Sequence, residues 1–380
     1  MTMFILVFSS LSMSSPVYEW DLIPYMANAL HLVSGQPTET LHASIYENLK
    51  QSIPPDSYDK LIGSPTRLVL SQDSEAFRQT AAFFYDSRVV YTYINATFIK
   101  LGFDPISAIY ILSVICAVFS SLLLSRLVPV KAPLGMYFVL PFIALSCGLL
   151  TVARIATPDS LATLTTITLY FLLIRNRVLL LLFLLPLTIF IRSDLIILAG
   201  LFFAYFFFTN RISKVAVVAS AFTTFIAYLI LNHIIIEYDA WSSLIGYNFA
   251  EKPTHPAEYE FTVTPSGYFS YIIKGLASLS YNPIFFVFCT FAVTGIVQFS
   301  SRFFFASGRT KISLQHADIL FLLVSSAAFL ALHFMLFPVT WTRFFAAQYS
   351  LVAVVVVWTT LAILAERNYS TRDSMDLLKS

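Results

Sequence analysis

The stretch Val178 to Phe208, VLLLLFLLPLTIFIRSDLIILAGLFFAYFFF, decides the fold class. A helix that crosses a bilayer needs about 20 predominantly apolar residues. The stretch is too long for one crossing, and its charges, Arg192 and Asp194, split it into halves of roughly 14 residues, short for a full crossing each. The pattern predicts two membrane helices joined by a turn recessed below the membrane surface. An Arg and an Asp at that depth are costly unless they pair or face a hydrated cavity. Both a structural ion pair and a site role fit.

The rest of the chain is built the same way. Of its 380 residues 58% are hydrophobic and 12% charged, with a mean hydropathy of +0.77, whereas a soluble domain is about 45 to 50% apolar and about 25% charged. This composition is that of an integral membrane protein. Apolar runs at about residues 3–15, 105–125, 134–151, 160–174, 178–191, 195–209, 215–236, 281–299, 315–337 and 343–365 predict about ten transmembrane helices. No linker or internal repeat separates them, so residues 1–380 read as one polytopic, all-α membrane domain. The first run is short and lacks the basic start and small-residue cleavage site of a signal peptide. It reads as a short helix, or as the remainder of one that begins upstream. Cys116, Cys147 and Cys289 lie in apolar runs without metal or disulfide spacing and read as packing residues.

Basic residues in short loops set orientation. With both termini cytoplasmic, the inner side holds 12 basic and 4 acidic residues, leaving 11 and 17 outside. This arrangement requires that residues 85–104 do not cross. They carry Val89, Tyr93, Ile94, Thr97, Phe98 and Leu101 at helical spacing, which predicts an amphipathic helix in the outer interface. The first outer loop then runs over 16–104, and a second, over 237–280, contains EYDAW and EKPTHPAEYE. Loops beyond about 12 to 15 residues are functional or disordered as a rule, so the working parts are expected to face outward.

Charges gather at the outer ends of the predicted helices. SPVYEWDLIPY, Ser15 to Tyr25, places Glu19 and Asp21 around Trp20 after the first run. TPD, Thr157 to Asp159, opens a helix, where Thr157 suits a cap, Pro158 the first helical position and Asp159 the positive end of the dipole. Arg343 heads the last run behind Trp341 and reads either as an interfacial anchor or as part of a site. Taken together, Asp159, Arg192, Asp194 and Arg343 bring positive helix ends and guanidinium groups to one outward cavity suited to a phosphate. Glu19 and Asp21 stand at the same level and supply a base.

These residues resemble the GT-C glycosyltransferases, integral membrane enzymes that move a sugar from a polyprenyl-phosphate donor. The resemblance rests on the ExD-type pair Glu19-Trp20-Asp21 followed by YMANALHLVSGQP, on DSRVVYTYINATFIKLGFDPISAIY, which is similar to the family's interfacial helix and its approach to the second span, and on TPDSLATL, RSDLIILAG and RFFAAQYSLV. It covers the layout of the whole chain through short, degenerate motifs. The short first span and the lack of a large soluble C-terminal domain depart from the larger relatives. The latter departure favours a compact transferase acting on a lipid-linked or cell-envelope glycan, in a bacterial inner membrane with a periplasmic active face in preference to an endoplasmic reticulum membrane with a lumenal one.

The chemistry follows from the leaving group. An acceptor hydroxyl attacks the anomeric carbon while the phosphate departs from the opposite face, with inversion. A phosphate leaves without a general acid. One carboxylate to take the hydroxyl proton and cations to hold the departing charge are what remain. Asp21 is the expected base, with Glu19 as its rival. The two share a site only if their segment is extended or kinked, since positions two apart diverge on a helix. Arg192 and Arg343 are the expected phosphate ligands, with Arg88 a third, and Asp159 and Asp194 orient the arginines or bind acceptor hydroxyls. The six histidines are scattered and read as interfacial. No metal or other cofactor is indicated, although an acidic pair can recruit a divalent cation. The expected partners are the lipid-phosphate sugar, the glycan or lipid-linked acceptor and membrane lipids, with no nucleic acid. A secondary transporter or flippase, in which the break at Arg192 is a discontinuous helix, and an O-antigen-type polymerase or ligase are the rival readings.

Overall fold

The computed structural model describes residues 2–128, 134–235, 262–279, 282–305, 314–339 and 341–377, with short pieces at 245–246, 248–249 and 254–256. The described residues are helical, with a single isolated β-bridge and no strand. EYDAW and most of EKPTHPAEYE lie outside them.

Each predicted apolar run falls on helix. The first is α1 (Thr2–Ser14). The later ones form α8 (Pro105–Leu127), α9 (Leu134–Ser146) with α10 (Leu149–Arg154), α11 (Asp159–Ile174), α12 (Val178–Thr188), α13 (Leu195–Thr209) and α14 (Lys214–Ile230), which a π-turn extends to Ile235. After them come α15 (Pro265–Leu279), α16 (Pro283–Phe305), α17 (Leu314–Leu336), a 3-10 turn (Thr342–Phe345) and α18 (Ala346–Leu377). Among the described residues four helices can cross a membrane by length and composition: Pro105–Leu127, Lys214–Ile235, Ala317–Leu336 and Thr342–Leu361. A fifth arises if the pair Pro265–Leu279 and Ile284–Gln298, bent by 89°, is one span. The other apolar helices are shorter. At 1.5 Å per residue, α11 is about 24 Å long against a hydrocarbon core of about 30 Å.

The long segment between α1 and α8 is no loose loop. It folds into α2 (Leu22–Ser34), α3 (Thr38–Ser52), α4 (Pro55–Ile62), α5 (Pro65–Gln72), α6 (Ser74–Tyr85) and α7 (Val89–Lys100). Local chemistry starts several of them. Ser64 accepts from the Arg67 amide ahead of Pro65, and the Asp73 carboxylate accepts from the Glu75 and Ala76 amides. Asp104 caps α8 in the same way, accepting from Ser107 N at 3.0 Å. These six helices form a cap whose core is aromatic: Trp20 meets Phe77 edge-on, and Tyr25 meets both Tyr85 and Tyr91.

Helix α7 packs one face on the protein and turns the other outward. Tyr91, Thr92, Asn95 and Ala96 are buried, whereas Tyr93 and Leu101 are exposed. On the buried face Tyr91 meets Tyr25 edge-on. Asn95, the acceptor position of an Asn-Ala-Thr sequon, is fully buried as a result.

Candidate active site

The two acids of SPVYEWDLIPY are held by a segment that is extended before it turns into α2. Val17 forms a parallel bridge with Ile155, its amide donating to Arg154 O at 2.8 Å. Arg154 Nε donates to Ser15 O at 2.6 Å, and the Tyr110 hydroxyl donates to Val17 O at 3.0 Å. Ser113 donates to Ile155 O at 2.9 Å. Tyr110 and Ser113 lie about one and a half and two turns inside α8, so the segment is pinned roughly 8 to 12 Å below that helix's start. Trp20, buried against Phe77 with Arg67 over its ring, anchors the chain between the two acids. An extended approach followed by a turn lets carboxylates two positions apart reach one partner.

That partner is Arg343. Its Nη1 lies 2.5 Å from Glu19 Oε2, its Nη2 3.0 Å from Asp21 Oδ2 and its Nε 3.4 Å from Asp159 Oδ2. The 3-10 turn that carries it leans on Gly148, whose φ of +93° breaks the helical run between α9 and α10. A Cβ there would stand 3.3 Å from both Thr342 Cγ2 and Ala346 Cβ. Only glycine gives the turn this approach.

Arg192 forms the second node. Its Nε and Nη2 donate to the two oxygens of Asp194 at 3.0 and 2.7 Å, and its Nη1 donates to Asp159 Oδ1 at 2.6 Å. Phe344 lies under the guanidinium, 4.4 Å from ring centroid to Cζ. Asp159, 3% exposed, therefore joins the two arginines. Thr157, expected to cap α11, instead donates to Asp159 Oδ2 at 2.9 Å, which leaves the helix start without a side-chain cap. The structure thus brings together Glu19, Asp21, Asp159, Arg192, Asp194 and Arg343. Arg88, at the start of α7, stands at the edge: its Nη1 donates to Ser87 Oγ, and it forms no ion pair among the described residues.

No family model, curated protein or solved structure matches the chain. Function must be read from the site itself.

The charge balance of that site differs from a simple phosphate cradle. Four carboxylates surround two guanidinium groups. Arg192 is 5% exposed and its donors point at protein carboxylates, so it holds the site together and does not present a free face. Arg343 is more open to exchange, because Glu19, with its side chain 39% exposed, is the most accessible carboxylate of the cluster. Burial pushes the Glu19 carboxyl above its ordinary value; Arg343 pulls it down, and Asp21 and Asp159 push it further up. The Tyr25 phenol is likewise raised by burial, with Arg88 opposing and Asp21 and Asp159 adding to the rise. Among the described residues no three His, Cys, Asp or Glu side chains are disposed to hold a metal ion.

Several partners were not legible in the sequence. Tyr85 donates to Asp21 Oδ1 at 2.8 Å. His333, expected to be an interfacial residue, is buried with its Nε2 3.2 Å from Asp194 Oδ2 and its ring among Phe329, Phe337, Phe344 and Phe345. Neither carries a motif, and only the packing of α6 and α17 puts them at the site.

Proposed function

We propose that the chain is a GT-C-type glycosyltransferase that moves a sugar from a polyprenyl-phosphate donor to a lipid-linked or cell-envelope glycan acceptor. One observation carries this reading: acids from two separate parts of the chain, the Glu19 and Asp21 segment and Asp159, converge on Arg343 at one end of an apolar helix bundle. Asp21 is the base. Its carboxylate, fixed by Tyr85 and Arg343, takes the proton of the acceptor hydroxyl as that oxygen bonds to the anomeric carbon. The bond from that carbon to the phosphate oxygen breaks, the electron pair leaves on the phosphate, and the anomeric configuration inverts. Arg343 and Arg88 meet the departing charge once Glu19 has yielded its place on Arg343. Arg192, Asp159 and Asp194 keep Arg343 and the base in register.

The bundle in this reading crosses a bacterial inner membrane about ten times, with the short helices α11, α12 and α13 recessing the site from the periplasmic surface and both termini cytoplasmic. Support for the orientation comes from the opposite end of the bundle, where Arg211 pairs with Asp318 and donates to Asn176, and Arg175 donates to Arg126 O. Basic residues belong on the cytoplasmic side.

Mass spectrometry of lipid-linked glycans from cells with the gene, without it, and with Asp21→Asn tests the reading. A glycan lacking one sugar in the second and third strains is the expected result. An unchanged glycan profile, or substrate flux by the reconstituted protein without a covalent product, would overturn it.

A further inference from the structure

Directly beneath the Arg192 and Asp194 pair lies a small space whose walls include Thr163, Thr166, Arg192, Asp194, Phe329 and Gln348. Arg192 and Asp194 are paired, but the other polar side chains on its walls make no hydrogen bond to the described protein. Gln348 is 1% exposed and its Oε1 bonds to nothing. Thr163 and Thr166 are buried as well. Elsewhere on α11 a threonine satisfies its hydroxyl by donating one turn back, as Thr165 does to Leu161 O at 2.8 Å and Thr168 to Leu164 O at 2.7 Å. Thr163 and Thr166 make no such bond among the described residues.

An unsatisfied buried amide is destabilising, and Gln348 Oε1 beside two buried threonines that show no hydrogen bond points to something that fills the space. The space measures about 10 Å³, close to the room one water needs. Arg192 on its wall opposes a cation, and Asp194 opposes an anion. Water alone combines that size with the capacity to donate to a carbonyl or carboxylate and to accept from a hydroxyl.

We propose that this space is a binding site for a single internal water, held by the Thr163 and Thr166 hydroxyls and the Gln348 amide, which positions the Arg192 and Asp194 pair from below. It goes beyond the transferase reading and holds whatever reaction the cluster serves. The water ties α11 and α18 to the turn between α12 and α13, where the polar groups would otherwise face a void.

The test uses the full chain in lipid nanodiscs, imaged at a resolution that shows ordered water. One density peak within about 3.2 Å of at least two of the three side chains is the expected result; an empty space, or side chains that have closed it, would overturn the proposal. A second measurement reads the sign of a melting shift. If the site is hydrated, Gln348→Met and Thr166→Val remove partners of a bound water and lower the Tm. If it is dry, each replaces an unsatisfied polar group by an apolar one of similar shape, and the Tm stays or rises, which also overturns the proposal. Should either variant fail to fold, the density in the unaltered chain decides.

Discussion

Arg343 donates to Glu19 across 324 residues of chain, and the same guanidinium reaches Asp21. A single cation at the head of the last helix therefore fixes the acidic turn at the start of the first cap helix. Removing it leaves carboxylates facing one another in a site largely withdrawn from water. Arg343→Ala is expected to cost roughly 3 kcal/mol, the usual penalty for breaking a buried pair from one side, and to abolish sugar transfer. Arg343→Lys restores the charge but not the fork that spans two acids, so its Tm should recover further than its turnover. Thermal melts and turnover measured on the same reconstituted samples check both.

Asp21 and Glu19 are separable by turnover. Asp21→Asn is expected to lower the rate by about 10² to 10⁴ with the Tm little changed, since the amide still accepts from Tyr85. Glu19→Gln should leave the rate within about tenfold of the unaltered protein, because Glu19 only occupies a place on Arg343. If Glu19→Gln is the inactive variant and Asp21→Asn the active one, the base assignment is reversed.

The raised Glu19 carboxyl carries a pH signature. A group that titrates higher in the fold than its ordinary value of 4.5 is bound to its proton more tightly in the native state. Its contribution to stability is complete below the ordinary value and is lost as pH rises through the raised one. Glu19→Gln mimics the protonated form. The Tm of the variant should equal that of the unaltered protein in acid and exceed it once pH has passed the raised value, as melts over a pH series would show.

Gly148 tests whether the 3-10 turn is held by close approach. A side chain there must adopt a φ of +93° and press on Thr342 and Ala346. Gly148→Ala should cost about 1 to 2 kcal/mol in backbone strain alone and displace Arg343, so that turnover falls more than stability does. An alanine variant with unaltered turnover would show that the turn is held by other contacts.

At the other end of the bundle Arg211 and Asp318 form a buried pair, with Tyr205 donating to Asp318 Oδ1 at 2.7 Å. Asp318→Leu alone is expected to lower stability by about 3 to 5 kcal/mol, whereas Asp318→Leu combined with Arg211→Met should recover most of it. Neither touches the site, so whatever double variant folds should retain turnover. Melting of the single and double variants measures the difference.

Parts of this architecture are legible in the sequence. The break at Arg192 appears as a turn between α12 and α13 because two charges in an apolar stretch interrupt it locally, and the Asp104-Pro105 start of α8 follows from capping chemistry within four residues. The stretch from residue 16 to 104 is less legible. Its helices are short and polar, and their apolar positions make sense only against one another, as Trp20 does against Phe77. Helical spacing marks the apolar face of α7 that Tyr93 and Leu101 share, but the opposite face, where Tyr91 meets Tyr25, becomes apparent only in the packed structure.

What the sequence by itself determined is the membrane-protein class, the position of each apolar helix and the charged residues available at helix ends, because run length, capping and charge act over a few neighbouring residues. What only the tertiary structure decided is how those charges pair. Arg192 reads from the sequence as a phosphate ligand, yet in the fold its donors point at Asp159 and Asp194, and His333 joins them from α17. An ion pair depends on which groups burial brings within about 4 Å and on what solvent they lose, and those quantities exist only once distant helices have packed.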